Sequence, residues 1–319
     1  ATAIGEWGGL VILGRAPTNR CRDAATPGSI DCENLIEGVT NPDGLYGGIL
    51  EDDSSGSITF LQLKFAGFEI APGNELNGIT LGGVGRGTTF EYVQVHNGSD
   101  DGIEWFGGTV NGKYLVVTGA DDDSFDTDNG WRGRVQFLLG IQRAGGGDNI
   151  VEASSSAPGV TPLSNAIFSN FTFIGNRTNA FRLNTGTVGR YVNGVVDYGQ
   201  ACMRWEPSAG NGTAGYQGVN VDPSFDSVLF SCAGGLSTAN SDQAAASAAV
   251  SGGSNNSTNI DSTLTNTFIN GANENARQAF DVTTLDPYFD DVDYIGAVRN
   301  SSDRWWAGWT CGLEAGSTC

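Results

Sequence analysis

Residues 100–130, DDGIEWFGGTVNGKYLVVTGADDDSFDTDNG, decide how this chain is read. The stretch sets eight carboxylates (Asp100, Asp101, Glu104, Asp121, Asp122, Asp123, Asp126 and Asp128) around an apolar run at 114–117. It also holds one short pattern twice: an acid, two residues of any kind, an apolar residue, then a second acid. Asp100, Ile103 and Glu104 form the first copy; Asp122, Phe125 and Asp126 form the second. A third copy, DNIVE, supplies Asp148, Val151 and Glu152, so the steps are 22 and 26 residues. Looser copies, TNAFR (Phe181, Arg182) and CMRWE (Trp205, Glu206), follow at steps of 30 and 24, and NGITL near Ile79 echoes the pattern upstream. Self-similarity at this period marks units that cannot bury an apolar face alone and must stack.

Between the copies lie runs such as TTFEYVQVH, GKYLVVTG, RVQFLLGIQ, NAIFSNFTFIG, RYVNGVVDYG and FDSVLFSC. They are short, rich in Val, Phe, Tyr and Ile, and bounded by Gly, Asn or Asp, which reads as strands. FEYVQVH and FSNFTFIG alternate apolar and polar residues, and residues 55–235 carry no helical stripe. Two or three short strands per 22–30 residues describe an all-β, right-handed parallel β-helix. A propeller blade needs about 40 residues, and a sandwich leaves the repeat unexplained. The expectation is one β-helix domain over 1–319 with loops at about 17–43 and 237–262. The second loop has no apolar periodicity beyond one helical turn at SDQAAASAAV.

Composition narrows the function. The 319 residues include 48 glycines and 9 prolines, with 39% apolar content, which suits a folded chain of many turns. The net charge of −20 opposes binding to nucleic acid or an anionic membrane, since both require a basic footprint. No apolar run approaches the ~18 residues of a membrane span. The first residues, ATAIGEWGG, have neither the basic start nor the apolar run of a secretion signal, so either a signal has been removed or the sequence starts inside a longer protein. Six cysteines without a CxxC pair oppose zinc or thioredoxin chemistry. Pairing by proximity gives Cys21–Cys32, Cys202–Cys232 and Cys311–Cys319, which implies an oxidising compartment. Sequons stand at Asn97, Asn170, Asn176, Asn211, Asn255, Asn256 and Asn300, so attached glycans are a further expectation.

Residues one coil apart in a β-helix lie about 4.8 Å from each other. The repeat therefore stacks Glu104, Asp126 and Glu152 in one column and Asp100, Asp122 and Asp148 in another. Such columns repel unless a cation, an arginine or bound protons offset the charge. Ca²⁺ takes six to eight oxygens, and Asp100, Glu104, Asp122, Asp126 and Asp128 are the expected ligands. The plain reading is a solvated acidic ridge. Catalysis is not the expected activity. β-Helix hydrolases and lyases acting on pectin-like polymers carry paired carboxylates, and ADDDS resembles the hydrolases' aspartates. The hydrolases' Gly-His-Gly and Arg-Ile-Lys elements are absent, however, and His96 is the only histidine. Arg132 and Arg134 are the candidates for a lyase-type base.

The segments EWGGLVILGRAP, GLYGG, NGITLGGVGRGTTFEYVQVHNGSDDGIEWFGGTVN, GADDDSFDTDNGWRGRVQF and VDYIGAVRNSSDRWWAGWT resemble a family of secreted or surface β-helix proteins of Gram-negative bacteria. Some members look like lipoproteins and some carry transporter labels. The resemblance covers most of the chain outside 237–262 and implies fold and location, with no catalytic residue. Members usually have a further strand region before the WGG motif, so the resemblance implies that the first coils are missing here. Trp305, Trp306 and Trp309 near the C-terminus would close one end of the core, or, with Trp7, cover a partner. The expected function is an extracellular building block of a surface fibre or coat, self-assembled through the solenoid ends. The alternative is a calcium-dependent protein that binds or cleaves polysaccharide.

Overall fold

The computed structural model describes residues 3–71, 74–207, 222–314 and 316–319. The strands are, in order, β1 (Leu10–Leu13), β2 (Asn34–Leu35), β3 (Leu45–Tyr46), β4 (Ser57–Lys64), β5 (Glu69–Ala71) and β6 (Asn74–Glu75). There follow β7 (Ile79–Gly82), β8 (Thr89–His96), β9 (Ile103–Phe106), β10 (Gly112–Thr118), β11 (Phe125–Asp128) and β12 (Arg134–Ile141). The last are β13 (Asn149–Ala153), β14 (Ile167–Gly175), β15 (Asn179–Leu183), β16 (Arg190–Tyr198), β17 (Ala201–Trp205) and β18 (Ser224–Cys232). From β7 onward the chain alternates between two seven-stranded parallel sheets, ordered β1-β7-β9-β11-β13-β15-β17 and β4-β8-β10-β12-β14-β16-β18. The architecture is a parallel β-helix.

The repeated pattern is the first sheet. Its apolar residue points inward: Ile79, Ile103, Phe125, Val151, Phe181 and Met203 stand opposite one another from coil to coil, all fully buried. The next residue points outward and forms the column Thr80, Glu104, Asp126, Glu152, Arg182, Arg204. The last step corrects the sequence reading. Arg182 faces Arg204, not Glu206, so the final copy sits two residues earlier than Trp205 and Glu206 suggest. A slip of two preserves the inward–outward alternation, and Trp205 is itself buried at 3% exposure, so composition could not expose the error.

In the second sheet one residue per coil has a left-handed backbone: Phe60, Tyr92, Tyr114, Phe137, Asn170, Asn193 and Ser227, with φ between 50° and 63°. Pairing skips these positions on every strand. The conformation costs a non-glycine residue about 1–2 kcal/mol and is repaid by contacts along the column. Phe60, Tyr92, Tyr114 and Phe137 stack ring on ring at 4.4–4.9 Å. Asn193 donates to the Phe280 carbonyl and accepts from its N–H, and Asn170 donates to the Tyr294 carbonyl.

Those partners belong to a return segment that overturns the expectation for the tryptophans. After β18 the chain forms α1 (Gln243–Gly252), N-capped by the Asp242 side chain on the Ala245 N–H. Ala246 and Val250 of α1 are buried against the last coil. Within the region read as a loop at 237–262, the single helical turn expected at SDQAAASAAV is thus a ten-residue helix, and its periodicity is hidden because alanine forms both helix faces. The chain then runs back along the outer face of the second sheet. Phe268, Ile269, Ala297, Val298 and Trp306 bury Val116 and Leu139, and Ile295 buries Val195 and Leu229. Trp309 stands edge-on to Phe60 and Tyr92, and Trp305 packs on Tyr114. Trp305, Trp306 and Trp309 therefore lie on the flank of the chain's own sheet and close neither end. At the opposite end, among the described residues, β1 and β4 are the edge strands of their sheets, with Trp7 45%, Phe60 62% and Phe68 54% exposed.

Residues 17–43 include β2 and are joined by Cys21–Cys32, and all three proximity pairings are the disulfides of the structure. Asn170 is fully buried and Asn97 nearly so, which removes both as glycan acceptors in the folded chain. The sequon at Asn211 lies outside the described residues.

Candidate functional site: a carboxylate cluster on an amide ladder

Two residues before five of the six inward apolar residues of the first sheet, the chain places a short polar side chain, Asn77, Asp101, Asp123, Asn149 and Asn179, with Ala201 in the sixth place. All five are at least 94% buried. They link coil to coil. Asp101 Oδ1 accepts from the Asp123 N–H at 2.9 Å, and Asp123 Oδ1 accepts from the Asn149 N–H at 2.6 Å and from its Nδ2 at 3.0 Å. Asn149 Oδ1 accepts from Asn179 Nδ2 at 3.4 Å. Three of the five rungs are asparagines, so the position accommodates an uncharged side chain. The aspartates at 101 and 123 accept the backbone N–H of the next rung, at the added cost of two buried charges.

The extra charge adjoins the outward column. Oxygens of Asp101, Glu104 and Asp126 all lie within 4.8 Å of one another, as do those of Asp100, Asp101 and Asp122, and those of Asp122, Asp123 and Asp148. Seven carboxylates thus form one connected line. Glu104 accepts from Asn77 Nδ2, while Asp126 Oδ1 is buried with no hydrogen-bond partner among the described residues. Among the described residues, none of Asp101, Glu104, Asp123 or Asp126 forms an ion pair. The arginines serve neighbours: Arg182 bridges Glu152 (2.8 Å) and Glu206 (3.1 Å), and Arg143 pairs with Asp121.

Of the five expected metal ligands, the structure brings Glu104 and Asp126 into one group and Asp100 and Asp122 into its neighbour. Asp128 belongs to neither; it accepts from the Asn129 N–H at 2.6 Å. Asp101, Asp123 and Asp148 are members that the sequence reading missed. The signal for Asp101 and Asp123 was the run of acids in DDGIE and DDDSFD, whose last aspartate before the apolar residue turns inward; Asp148 stood in the outer column but not among the expected ligands. Arg132 is held by Glu51, and Arg134 by Asp286 and three carbonyls, so the candidate lyase-type bases are engaged with other partners.

The donor set suits a hard cation. Two oxygens bound to one Ca²⁺ at about 2.4 Å lie at most about 4.8 Å apart, the separation found here. Asp101, Glu104 and Asp126 supply carboxylate oxygens, and Asp126 Oδ1 is free to turn to an ion. Without a cation, burial first and neighbouring carboxylates second hold Asp101, Glu104, Asp123 and Asp126 well above the usual carboxylate range. The fold then retains protons that the unfolded chain loses near pH 4. Stability from these groups is full below that pH and is lost as pH rises. His96 acts oppositely: burial lowers its pKa to about 4, so its contribution is lost as pH falls from about 6.5 toward 4. Four carboxylates outweigh one imidazole. The melting temperature of chelator-treated protein is expected to fall from pH 4.5 to pH 7, read by calorimetry; a rise over that window would contradict the assignment.

Two parallel sheets stacked coil on coil, with buried acidic residues along one of them, define a parallel β-helix protein. The chain belongs to the pectate-lyase-like β-helix domain family, whose model matches residues 1–310. No curated protein and no solved structure matches it. Among the described residues, no helix is long and apolar enough to cross a membrane.

Proposed function

We propose that this chain is an extracellular protein that binds acidic polysaccharide through a divalent cation, Ca²⁺, held by Asp101, Glu104 and Asp126 with Asp122 and Asp123 beside them. One observation carries the reading: aspartates replace amides on two adjacent rungs of a ladder that asparagine builds elsewhere, next to a buried carboxylate oxygen without a partner. Charge of this kind destabilises the fold unless protons or a cation offset it, and at neutral pH a cation does so without holding the carboxyls far above their usual range. A cation at the surface of a chain of net charge −20 also supplies what the protein lacks for meeting an anionic polymer, a positive centre. The family relationship favours a carbohydrate ligand, and three disulfides favour an oxidising, extracellular setting. A fibre role assembled through residues 300–313 has no support, because that segment packs on the chain's own sheet.

Titration calorimetry with a polyuronate tests the proposal. Heat of binding is expected in Ca²⁺, at least tenfold weaker binding in chelator, and the same loss in Asp101→Asn/Asp123→Asn. Equal binding with and without Ca²⁺, or none in either, would overturn it.

A further inference from the structure

The second sheet ends in a polar corner far in sequence from the acidic ladder. His96 closes β8, and Thr118 Oγ1 lies 2.8 Å from its Nδ1, which orients the ring. The return segment brings Cys311 to this corner. Gln94, two residues before His96, accepts from the Cys311 N–H at 2.7 Å and donates to its carbonyl at 3.0 Å. A ring nitrogen of His96 and the sulfurs of Cys311 and Cys319 all lie within 4.8 Å of one another. A cavity of about 240 Å³, lined by His96, Thr118, Arg143 and Leu313, opens beside them. Of the three disulfides, Cys311–Cys319 spans 8 residues against 11 and 30. A short loop constrains the unfolded chain least, so this bridge has the smallest stabilisation of that kind to lose on reduction.

We propose that the Cys311–Cys319 disulfide is a redox-gated zinc site: reduction by a dithiol frees two thiols that, with His96, bind one Zn²⁺. The dithiol supplies two electrons and two protons and leaves as its own cyclic disulfide; the protein's S–S bond becomes two S–H groups. Zn²⁺ then displaces both thiol protons to solvent and binds as thiolate, thiolate and imidazole. Donors on a tetrahedral Zn²⁺ lie roughly 3.5–4 Å apart, so small shifts at the partly exposed Cys319 complete the geometry. The cavity gives the fourth position to water. The Gln94 clamp and the Thr118 contact hold Cys311 and His96 whether or not the bridge is closed. A soft donor set prefers Zn²⁺ to the hard cation of the acidic cluster.

The test uses the full chain and Co²⁺ as a spectroscopic probe. The protein is reduced with a dithiol, freed of it anaerobically, and its thiols are counted by alkylation and mass. The expected result is one Co²⁺ per chain with thiolate-to-cobalt charge-transfer absorption, bleached by equimolar Zn²⁺. The oxidised protein should show no such band, and neither should Cys311→Ser/Cys319→Ser, whose fold is checked by circular dichroism. His96→Ala should keep the band with at least tenfold weaker affinity. Oxygen ligands of the acidic cluster cannot produce the band, so failure here leaves the calcium reading untouched. Absence of the band in reduced wild-type protein, its persistence in the double serine variant, or unchanged affinity in His96→Ala would overturn the proposal.

Discussion

Trp306→Ala is expected to cost about 3–5 kcal/mol, the range for removing a large buried aromatic, and to lower the melting temperature by on the order of 10 °C. Trp306 is 5% exposed, stands edge-on to Phe268 at 5.0 Å and belongs to the cluster that buries Val116 and Leu139. Its loss should free the return segment before the β-helix melts, because that segment's contacts are with one face of one sheet. Limited proteolysis should then cut beyond residue 257 in the variant and spare the wild type. Trp306→Phe should cost much less, since the indole N–H has no partner among the described residues. If Trp306 instead served contact between copies, the alanine variant would keep its melting temperature and change its sedimentation.

How far the sequence could be read follows from which faces are buried. The first sheet was legible because its strands are short, its inward residue is apolar and its next residue is charged in three coils running, so Glu104, Asp126 and Glu152 mark the register. The six apolar runs are β8, β10, β12, β14, β16 and β18. What those runs face was harder to see. GKYLVVT and RVQFLLGI barely alternate, and continuous apolar strands are those buried on both faces. Val116 and Leu139 point away from the β-helix interior, and the return segment meets them there. That reasoning would have placed the tryptophans on the flank. The acidic site was legible as a cluster and misassigned in part: Asp128 is one strand position beyond it, and Asp101 and Asp123 look in sequence like solvated neighbours. Their role shows only when the ladder aligns them with Asn77, Asn149 and Asn179.

The second large effect concerns those two rungs. Asp101→Asn/Asp123→Asn keeps hydrogen-bonding side chains at both positions while removing two buried charges from a line of seven carboxylates. In chelator at pH 7 the double variant is expected to be more stable than the wild type by about 1–3 kcal/mol, because each unit of raised carboxylate pKa is worth about 1.4 kcal/mol. In Ca²⁺ the order should reverse. A cation at a thousand times its dissociation constant stabilises the wild type by about 4.1 kcal/mol, and the variant has lost the ligands that would share it. A ridge of solvated charge gives neither effect, since exposed carboxylates neither resist ionisation nor bind one ion tightly.

Differential scanning calorimetry of both proteins at pH 7, in chelator and in millimolar Ca²⁺, tests this most directly. The wild type should melt several degrees higher in Ca²⁺ than in chelator, and Asp101→Asn/Asp123→Asn should melt at one temperature in both, above the chelated wild type. A wild type indifferent to Ca²⁺, or a double variant that keeps the full Ca²⁺ shift, would contradict a cation site on the acidic ladder.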